Sequence, residues 1–280
     1  MIQSVKINNE TIHYIDSDDP VISYLKSGQL FGYGNWLTLN EFILDNDEDS
    51  FVVDCGAHIG TFSFVPAMFY DKKMILIDGA KNNFECLQKT FHNKTNVELY
   101  HSILLDSERN CSFSSEYGPF GSALNDPNGS EKSTTLDTIV KDKKITGIKF
   151  DIEGNEPEAL VGSVKTLKAN KPPLLIEVNG HCLRLHQKFP KDLFDVLDKL
   201  DYSYFIKNDN NLIRIDKNKI FPFCVLDIVC IHKDNEKFYN HLFNIIQPMP
   251  ANQLVDIAKQ NYKTSNQDCK NYFDTLNLEF

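Results

Sequence analysis

The strongest structural signal in this chain is the segment Phe51-Val52-Val53-Asp54-Cys55-Gly56-Ala57-His58-Ile59-Gly60. Three apolar residues run into an acid, two glycines stand four residues apart, and the amphipathic segment 61–70 follows. This order predicts a buried parallel strand, a tight turn and the start of a helix. A nucleotide-like cofactor binds at such a strand end in open α/β sheets, because glycine lets a ligand approach the backbone closely.

The acid in this segment restricts the kind of cofactor. The spacing differs from the three-glycine dinucleotide fingerprint, and Asp54 would repel a pyrophosphate. A cofactor with hydroxyl groups and a positive charge suits the turn better. S-adenosylmethionine (SAM) is such a molecule, since it carries a ribose, an ammonium and a sulfonium. A strand, turn and helix without any ligand is the alternative interpretation.

Composition restricts the partners. The chain has 280 residues, of which 41% are hydrophobic and 24% charged, and its formal net charge is −10. These values predict a folded soluble protein, with one large domain and additions or with two domains. We find no basic stripe interleaved with aromatics, which argues against a nucleic-acid partner. A small polar molecule or a carbohydrate is the expected substrate, and the sequence indicates no oligomeric state.

The cysteines and the hydropathy pattern bear on location. Seven cysteines are present, an odd number, and no pair has C-x-x-C spacing. Reduced thiols in a cytoplasmic protein are therefore expected. Residues 1–10 lack the pattern of a secretory signal. No run of about 18 apolar residues occurs, so we expect no membrane span.

Strand and helix patterns alternate from residue 51 to residue 232, which predicts a doubly wound, mostly parallel α/β sheet. The predicted strands are Phe51–Asp54, Lys73–Asp78, Val97–His101, Gly147–Asp151, Pro173–Val178, Tyr202–Lys207 and Cys224–His232. We expect three regions: an N-terminal extension or substrate cap at 1–50, a core at 51–233 and a helical C-terminal extension at 234–280. Residues 111–135, rich in Ser, Gly, Asn and Pro, predict a loop or hairpin excursion.

An acid also ends the second predicted strand. Asp78 stands 18 residues after Gly60, at the position that contacts the cofactor ribose in doubly wound folds. A carboxylate accepts hydrogen bonds from both ribose hydroxyls. A solvated turn acid before Gly79 is the alternative interpretation of Asp78.

Three carboxylates follow the fourth predicted strand, at Asp151, Glu153 and Glu156. A hydroxyl acceptor beside the cofactor needs a base to take its proton during attack. We expect Asp151 and Glu153 to act in the site and Glu156 to cap the following helix. His181 is a further candidate base, although a histidine in a loop is often simply exposed.

The end of the fifth predicted strand adds Glu177. A buried acid costs free energy unless it is paired or bound to a ligand. Asp151, Glu153 and Glu177 could together hold a divalent cation that prefers oxygen ligands.

These segments resemble one known family, the FkbM-type SAM-dependent methyltransferases. The run from Asp54 to Gly60 is similar to the family's first motif, D-x-G-A-N-x-G. The later signature, T-L-D, then K-I-D-x-E-G-x-E and V-L-x-G, is matched by residues 135–137, 148–156 and 159–162. Residues 175–178 are similar to the family's fifth-strand end. The likeness covers residues 51–232.

The resemblance implies a Rossmann-like class I methyltransferase with a seven-stranded sheet and a reversed last pair. It implies methyl transfer to a hydroxyl of a sugar, polyketide or similar acceptor. The implied SAM site consists of Asp54, Gly56, Ala57, His58, Gly60 and Asp78, while Asp151, Glu153 and Glu156 match the late acidic motif. Two departures stand out: His58 replaces the usual Asn, and Asp78-Gly79 replaces Glu-Pro.

Four other functions compete with this hypothesis. A nicotinamide-dependent oxidoreductase would carry G-x-G-x-x-G, but Asp54 stands where its first glycine belongs. A nucleic-acid amino-methyltransferase would carry Asn or Asp before Pro-Pro and an aromatic, whereas this chain has residues 151–154, Asp-Ile-Glu-Gly. The others are a non-catalytic SAM-binding or scaffold protein and an N-methyltransferase that acts on an amino sugar.

Overall fold

The computed structural model describes residues 1–44, 47–114, 121–208, 210–220, 222–239 and 242–246 of the chain. In chain order the strands are β1 (Ile2–Ile7), β2 (Glu10–Ile15), β3 (Phe51–Cys55), β4 (Lys73–Asp78), β5 (Val97–His101), β6 (Ile103–Leu104), β7 (Asn110–Ser114), β8 (Ser122–Asn125), β9 (Glu131–Thr134), β10 (Ile145–Phe150), β11 (Leu174–Asn179), β12 (Tyr202–Asn208), β13 (Asn211–Arg214), β14 (Val225–His232) and β15 (Asn244–Ile246). The α-helices are α1 (Pro20–Lys26), α2 (Tyr33–Asn40), α3 (Thr61–Phe69), α4 (Lys81–Thr90), α5 (Leu136–Val140), α6 (Glu156–Val161), α7 (Val164–Asn170), α8 (Gly180–Leu185), α9 (Pro190–Lys199) and α10 (Lys233–Tyr239).

The central sheet has the strand order β15-β13-β12-β14-β11-β10-β3-β4-β5. The strands from β11 to β5 pair in parallel, whereas β14 runs antiparallel to both β11 and β12. The predicted doubly wound, Rossmann-like arrangement of a class I methyltransferase, with its reversed last pair, is therefore confirmed. Strand order reverses between β3 and β10, which is where open α/β sheets bind ligands.

All seven predicted strands are present: two have the predicted ends, and the ends of the other five differ by at most two residues. Two further strands extend the sheet beyond β12, so it contains nine strands in the described part of the chain. One of them, β13, returns antiparallel from β12, and the other, β15, pairs in parallel with β13. Both are short, which is why periodicity alone did not distinguish them from loops.

Both faces of the sheet are buried. Val52 and Met74 point into one hydrophobic cluster, while their neighbours Val53 and Ile75 point into another. Successive side chains of a strand point to opposite faces, so a strand covered on both sides must be apolar throughout. This explains why the central strands read as continuous apolar runs.

Residues 1–44 pack against the core helices α3 and α4. The ring of Trp36 meets that of Phe62 edge-on at 6.0 Å, and the amide of His13 donates to Oγ1 of Thr90 at 2.9 Å. This arrangement places α1 and α2 beside the carboxyl ends of the strands.

The predicted C-terminal extension is described in part. It contributes α10 and β15, and the hydroxyl of Tyr239 donates to the carbonyl of Phe42. Residues 240–241 and 247–280 of that prediction lie outside the described residues. No helix in the described ranges has the length and apolarity needed to cross a bilayer. The six described cysteines are free thiols.

The predicted excursion at residues 111–135, of which 115–120 lie outside the described residues, contributes to a small separate sheet with the order β6-β9-β7-β8. Within it, β7 and β8 make an antiparallel hairpin. The side chain of Asn155 donates to the carbonyl of Ala123 at 3.1 Å. This hydrogen bond fixes the excursion beside the loop that follows β10.

Candidate active site

A cavity of about 270 Å³ lies at the carboxyl ends of β3, β4, β10 and β11. Its wall includes Gly56, Asp78, Asp151 and Asn179, each at or just beyond the end of one of these strands. The size is near the lower end of small-molecule pockets, which hold roughly 300–1,000 Å³. The position is the one expected for a cofactor in this fold.

The turn after β3 depends on left-handed backbone at three alternate residues. The φ angles of Gly56, His58 and Gly60 are 80°, 52° and 91°. A Cβ on Gly56 would lie 1.7 Å from the carbonyl oxygen of Asp151, so a side chain cannot fit there. The amides of Gly56 and Ala57 both donate to the carbonyl of Ile77, at 2.9 and 3.0 Å. The turn is thus held between β4 and β10.

Four of the predicted cofactor residues line the cavity, namely Gly56, Ala57, His58 and Asp78. The other two, Asp54 and Gly60, lie beneath the turn. A Cβ on Gly60 would meet the ring of Phe91 at 2.8 Å, so Gly60 packs against α4. Asp54 and Gly60 shape the turn from below, while the other four face the space for a ligand.

Asp54 is fully buried, with 0% exposure. One of its carboxylate oxygens accepts from Oγ of Ser63 at 2.7 Å, and the other lies 3.3 Å from Nζ of Lys149. Burial raises the pKa of Asp54, and the positive charge of Lys149 opposes that shift. This carboxylate therefore supports the turn through α3 and β10.

Asp78 is held in one orientation at the cavity wall. Its Oδ2 accepts from the amide of His58 at 2.7 Å, and its Oδ1 accepts from the amide of Ala80 at 2.8 Å and from Asn83 at 3.3 Å. Burial raises the pKa of Asp78, while the charge of His58 and these hydrogen bonds lower it. The carboxylate lies where the sequence predicts ribose recognition.

His58 connects the glycine turn to the N-terminal region. Its Nε2 lies 3.0 Å from Oδ2 of Asp19, whose Oδ1 accepts from the amide of Val21 and caps α1. Burial lowers the pKa of His58, but the hydrogen bond and charge of Asp19 outweigh burial and leave the pKa above its ordinary value. We did not identify Asp19 from the sequence: its place before Pro20 is typical of a helix N-cap, but nothing in the sequence indicates this ion pair.

The carboxylates of Asp151, Glu153 and Glu177 come together on the opposite wall, where their oxygens lie within 4.8 Å of one another. Glu153 has left-handed backbone with φ of 55°, and it accepts from Sγ of Cys182 at 3.0 Å. Burial, reinforced by the charge of Asp151, raises the pKa of Glu153 to about 8. The same causes raise the pKa of Glu177. The set expected from the sequence is thus assembled.

Glu156 plays a different part. It is 1% exposed, and its Oε1 accepts from the amides of Ile152 and Gly154, at 2.9 and 3.2 Å. Burial raises its pKa to about 7. Glu156 therefore closes the turn that precedes α6, and it also lies in the first turn of that helix, where a carboxylate complements the helix dipole.

His181 does not belong to the described wall of the cavity. Its ring packs 5.3 Å from that of Phe223, and its buried Nε2 has no hydrogen-bond partner among the described residues. Burial lowers the pKa of His181. The structure brings Asp151 and Glu153 to the cavity and leaves His181 behind them on α8.

Residues 54–204, more than half of the chain, match the family model of the methyltransferase FkbM domain. The chain belongs to the FkbM methyltransferase family. No curated protein sequence is significantly similar to it.

Solved structures with a similar fold include the FkbM methyltransferase of Methylobacillus flagellatus KT. It is 20% identical, with a TM-score of 0.43, and the match covers 68% of this chain but 45% of that one. M. jannaschii TYW2 in complex with AdoMet is 12% identical, with coverages of 82% and 84% and a TM-score of 0.38. The Pyrococcus abyssi tRNA (uracil-54, C5)-methyltransferase, in complex with S-adenosyl-L-homocysteine, is 12% identical, with coverages of 82% and 43% and a TM-score of 0.39.

The FkbM signature of this chain contains a site residue that we did not identify from the sequence, Lys149. Its side chain lines the cavity although it is only 7% exposed. A lysine within a strand that is buried on both faces is rare, because burying an unpaired ammonium costs a great deal of free energy. The place of this lysine within an otherwise apolar strand was the sequence signal that could have identified Lys149 as a site residue. Asn35 of α2 and Val225 of β14 also line the cavity, from outside the matched FkbM domain.

The close approach at Gly56 generates the first prediction. Gly56→Ala places a Cβ against the carbonyl of Asp151 and forces left-handed backbone on alanine. We expect a loss of more than about 2 kcal/mol in the free energy of unfolding, measured by urea denaturation. Gly34→Ala is the matched control, since nothing lies within 4 Å of a Cβ at Gly34 in α2. Equal unfolding midpoints for the two variants would contradict the contact.

The buried carboxyl group of Glu156 leads to a prediction about how the free energy of unfolding depends on pH. A carboxyl whose pKa is raised to about 7 on folding binds its proton more tightly in the folded state. Its contribution to stability is therefore complete below about pH 4.5 and is lost as the pH rises through 7. The loss is on the order of 3 kcal/mol.

Glu156→Gln removes this titration, so we expect the free energy of unfolding to fall less between pH 5 and pH 8 than in the wild type. Urea denaturation at several pH values measures the slope. Glu131→Gln, at an exposed position, controls for the exchange of carboxylate for amide. A Glu156→Gln variant with the slope of the wild type would show that the buried carboxyl does not titrate in this range.

Proposed function

We propose that this FkbM-family protein is a SAM-dependent methyltransferase that methylates a hydroxyl group of a sugar or a related small-molecule acceptor. One observation supports it most strongly: the glycine turn and the acid cluster face each other across one cavity. Gly56 on the first wall approaches the backbone of Asp151 so closely that a Cβ would overlap its carbonyl oxygen. A donor held by the turn would therefore lie next to an acceptor held by the acids.

The residues of the first wall fit SAM in two respects. The turn at Gly56 and Ala57 exposes backbone that a ligand can approach, and Asp78 presents a fixed carboxylate to a ribose diol. The carboxylate of Asp151 on the facing wall suits a cationic ligand group. SAM, when bound, supplies a methyl group that its sulfonium has already activated. The remaining work for the chain is to align the acceptor and take its proton, and alignment contributes up to about 7–11 kcal/mol.

We assign the base to Asp151. Its side chain is 32% exposed, lines the cavity and pairs with Lys149 at 3.1 Å. It takes the hydroxyl proton as the acceptor oxygen attacks, and the proton then passes to solvent. Glu153, with its pKa near 8, is protonated at neutral pH and donates a hydrogen bond to the acceptor.

The chemistry of the second wall favours a polyhydroxylated acceptor. Its carboxylates, together with the amide of Asn35 in the same cavity, offer several acceptors and donors to hydroxyl groups. Methylation of the nitrogen of an amino sugar is a second candidate, because the same acids would attract an ammonium. The third is a protein that binds SAM without transferring its methyl group.

A divalent cation is an alternative occupant of the acid cluster. Three carboxylate oxygens within 4.8 Å of one another, from Asp151, Glu153 and Glu177, match the ligand type of Mg²⁺. The raised pKa values of Glu153 and Glu177 mean that the cation would displace protons when it binds. In this arrangement the cation, held by the acids, would orient the acceptor hydroxyl.

The role of Asp151 gives a direct prediction. We expect Asp151→Asn to slow methyl transfer from labelled SAM to mono- and oligosaccharides by roughly 10²–10⁴-fold, since the proton has lost its acceptor. Binding of SAM, followed by isothermal titration calorimetry, should be retained. Asp71→Asn is the matched control at an exposed turn residue with left-handed backbone, which asparagine tolerates.

Unchanged turnover in Asp151→Asn would eliminate Asp151 as the base. A wild-type protein that binds SAM but labels none of these acceptors or their amino-sugar counterparts would favour the non-catalytic alternative. Labelling confined to amino sugars would favour N-methylation. Binding of NAD in place of SAM would contradict the proposed cofactor.

The cation gives another prediction. If a cation occupies the acid cluster, calorimetry will detect one Mg²⁺ or Mn²⁺ ion per chain, and Glu177→Gln will weaken that binding at least tenfold. Chelation with EDTA should then slow methyl transfer, and added Mg²⁺ should restore it. Full transfer by the chelated protein would exclude the cation and leave the acids to the acceptor alone.

A further inference from the structure

Lys149 lines the cavity of the candidate active site, but its side chain is almost completely shielded from water. It stands on β10, directly opposite Asp54 on β3, and its side chain is 7% exposed. The ring of Phe62 lies 5.7 Å from its ammonium nitrogen. A lysine in such a place must be charged and paired, or else neutral. Carboxylate oxygens of Asp54 and Asp151 lie 3.3 and 3.1 Å from its ammonium nitrogen, which is the geometry of the charged and paired form.

The three protons of the ammonium have three oxygen partners. Nζ of Lys149 lies 3.1 Å from Oδ2 of Asp151, 3.3 Å from Oδ1 of Asp54 and 3.3 Å from the carbonyl oxygen of Gly56. An ammonium is a flexible point charge on a long stem, but three partners at once leave it one position. The ammonium group of Lys149 is therefore held in one position.

Each of these three partners belongs to a different part of the candidate active site. Asp54 supports the turn from below, Gly56 is the turn itself, and Asp151 is the proposed base. The carboxyl groups of Glu153 and Glu177 lie within 4.8 Å of that of Asp151, and each of them that loses its proton repels the Asp151 carboxylate. The ion pair with Lys149 opposes that repulsion and draws Asp151 toward the turn.

We propose that Lys149 is a positioning residue for methyl transfer: it ties the carboxylate of Asp151 to the glycine turn and so sets the place of the base relative to the methyl donor. This role rests on the proposed function, with Asp151 as base. Misplacement of a reacting group by about 1 Å can cost roughly 100-fold in rate, which is the effect expected when the tie is lost. The alternative is that Lys149 serves only as the counter-ion of buried Asp54.

A double variant, compared with a single variant, separates the positioning role from the counter-ion role. Lys149→Met alone leaves Asp54 buried without its counter-ion, and the variant will be unstable. Asp54→Asn together with Lys149→Met removes both charges, so it should fold and bind SAM whichever role is right. Lys144→Met, at a surface ion pair with Asp47, controls for the loss of a lysine charge.

Methyl transfer is then compared between Asp54→Asn and Asp54→Asn/Lys149→Met. We expect the double variant to match the single one in thermal melting temperature and in the Kd for SAM, but to show a kcat about 100-fold lower. A kcat within threefold of the single variant would overturn the proposal, because a pure counter-ion is dispensable once Asp54 is neutral.

A further variant keeps the test informative if the double variant does not fold. Lys149→Arg retains the charge, but its planar guanidinium cannot reproduce three contacts to one nitrogen. We expect it to melt near the wild-type temperature and to lose at least tenfold in kcat. Wild-type kcat in folded Lys149→Arg would overturn the positioning role. These outcomes differ from failure of the proposed function, in which the wild-type protein itself would transfer no methyl group.

Discussion

The active site depends on the contact between the ends of two neighbouring parallel strands. Where β3 passes into its turn, the backbone of Gly56 lies so close to Asp151 that a methyl group cannot fit between them. The contact requires glycine, left-handed backbone and the register that places Asp54 beside Lys149. Because β3 and β10 border the point where strand order reverses, this contact brings the two walls of the cavity together.

This arrangement places several ionisable side chains close together where they are largely shielded from water. Burial raises the pKa values of Asp54, Glu153 and Glu177, so each acid destabilises the folded state at high pH unless it is paired or protonated. Lys149 compensates Asp54, and the proton of Glu153 lowers the charge of the cluster. The apolar clusters on both faces of the sheet supply the free energy that offsets the remainder.

The sequence predicted the seven core strands because strands covered on both faces are apolar without interruption. It predicted that Asp78, Asp151 and Glu177 converge, since the carboxyl ends of parallel strands share one edge. It could not show that Asp54 points beneath the turn, because the register of β3 against β10 decides which neighbour it meets. The ion pair of His58 with Asp19 was also beyond prediction, since tertiary packing alone brings these residues together across 39 positions of sequence.

The wall of the cavity is built partly by the matched FkbM domain and partly by the segments that flank it. Residues 54–204, the FkbM domain, contain the turn, Asp78 and the acids. Other parts of the wall come from outside it: Pro20, Phe31 and Asn35 before the domain and Val225 after it. The ion pair between Asp19 and His58 joins the first of these regions to the turn itself. Under the proposed function, the domain would therefore hold the methyl donor and the base, while the flanking segments would shape the space for an acceptor.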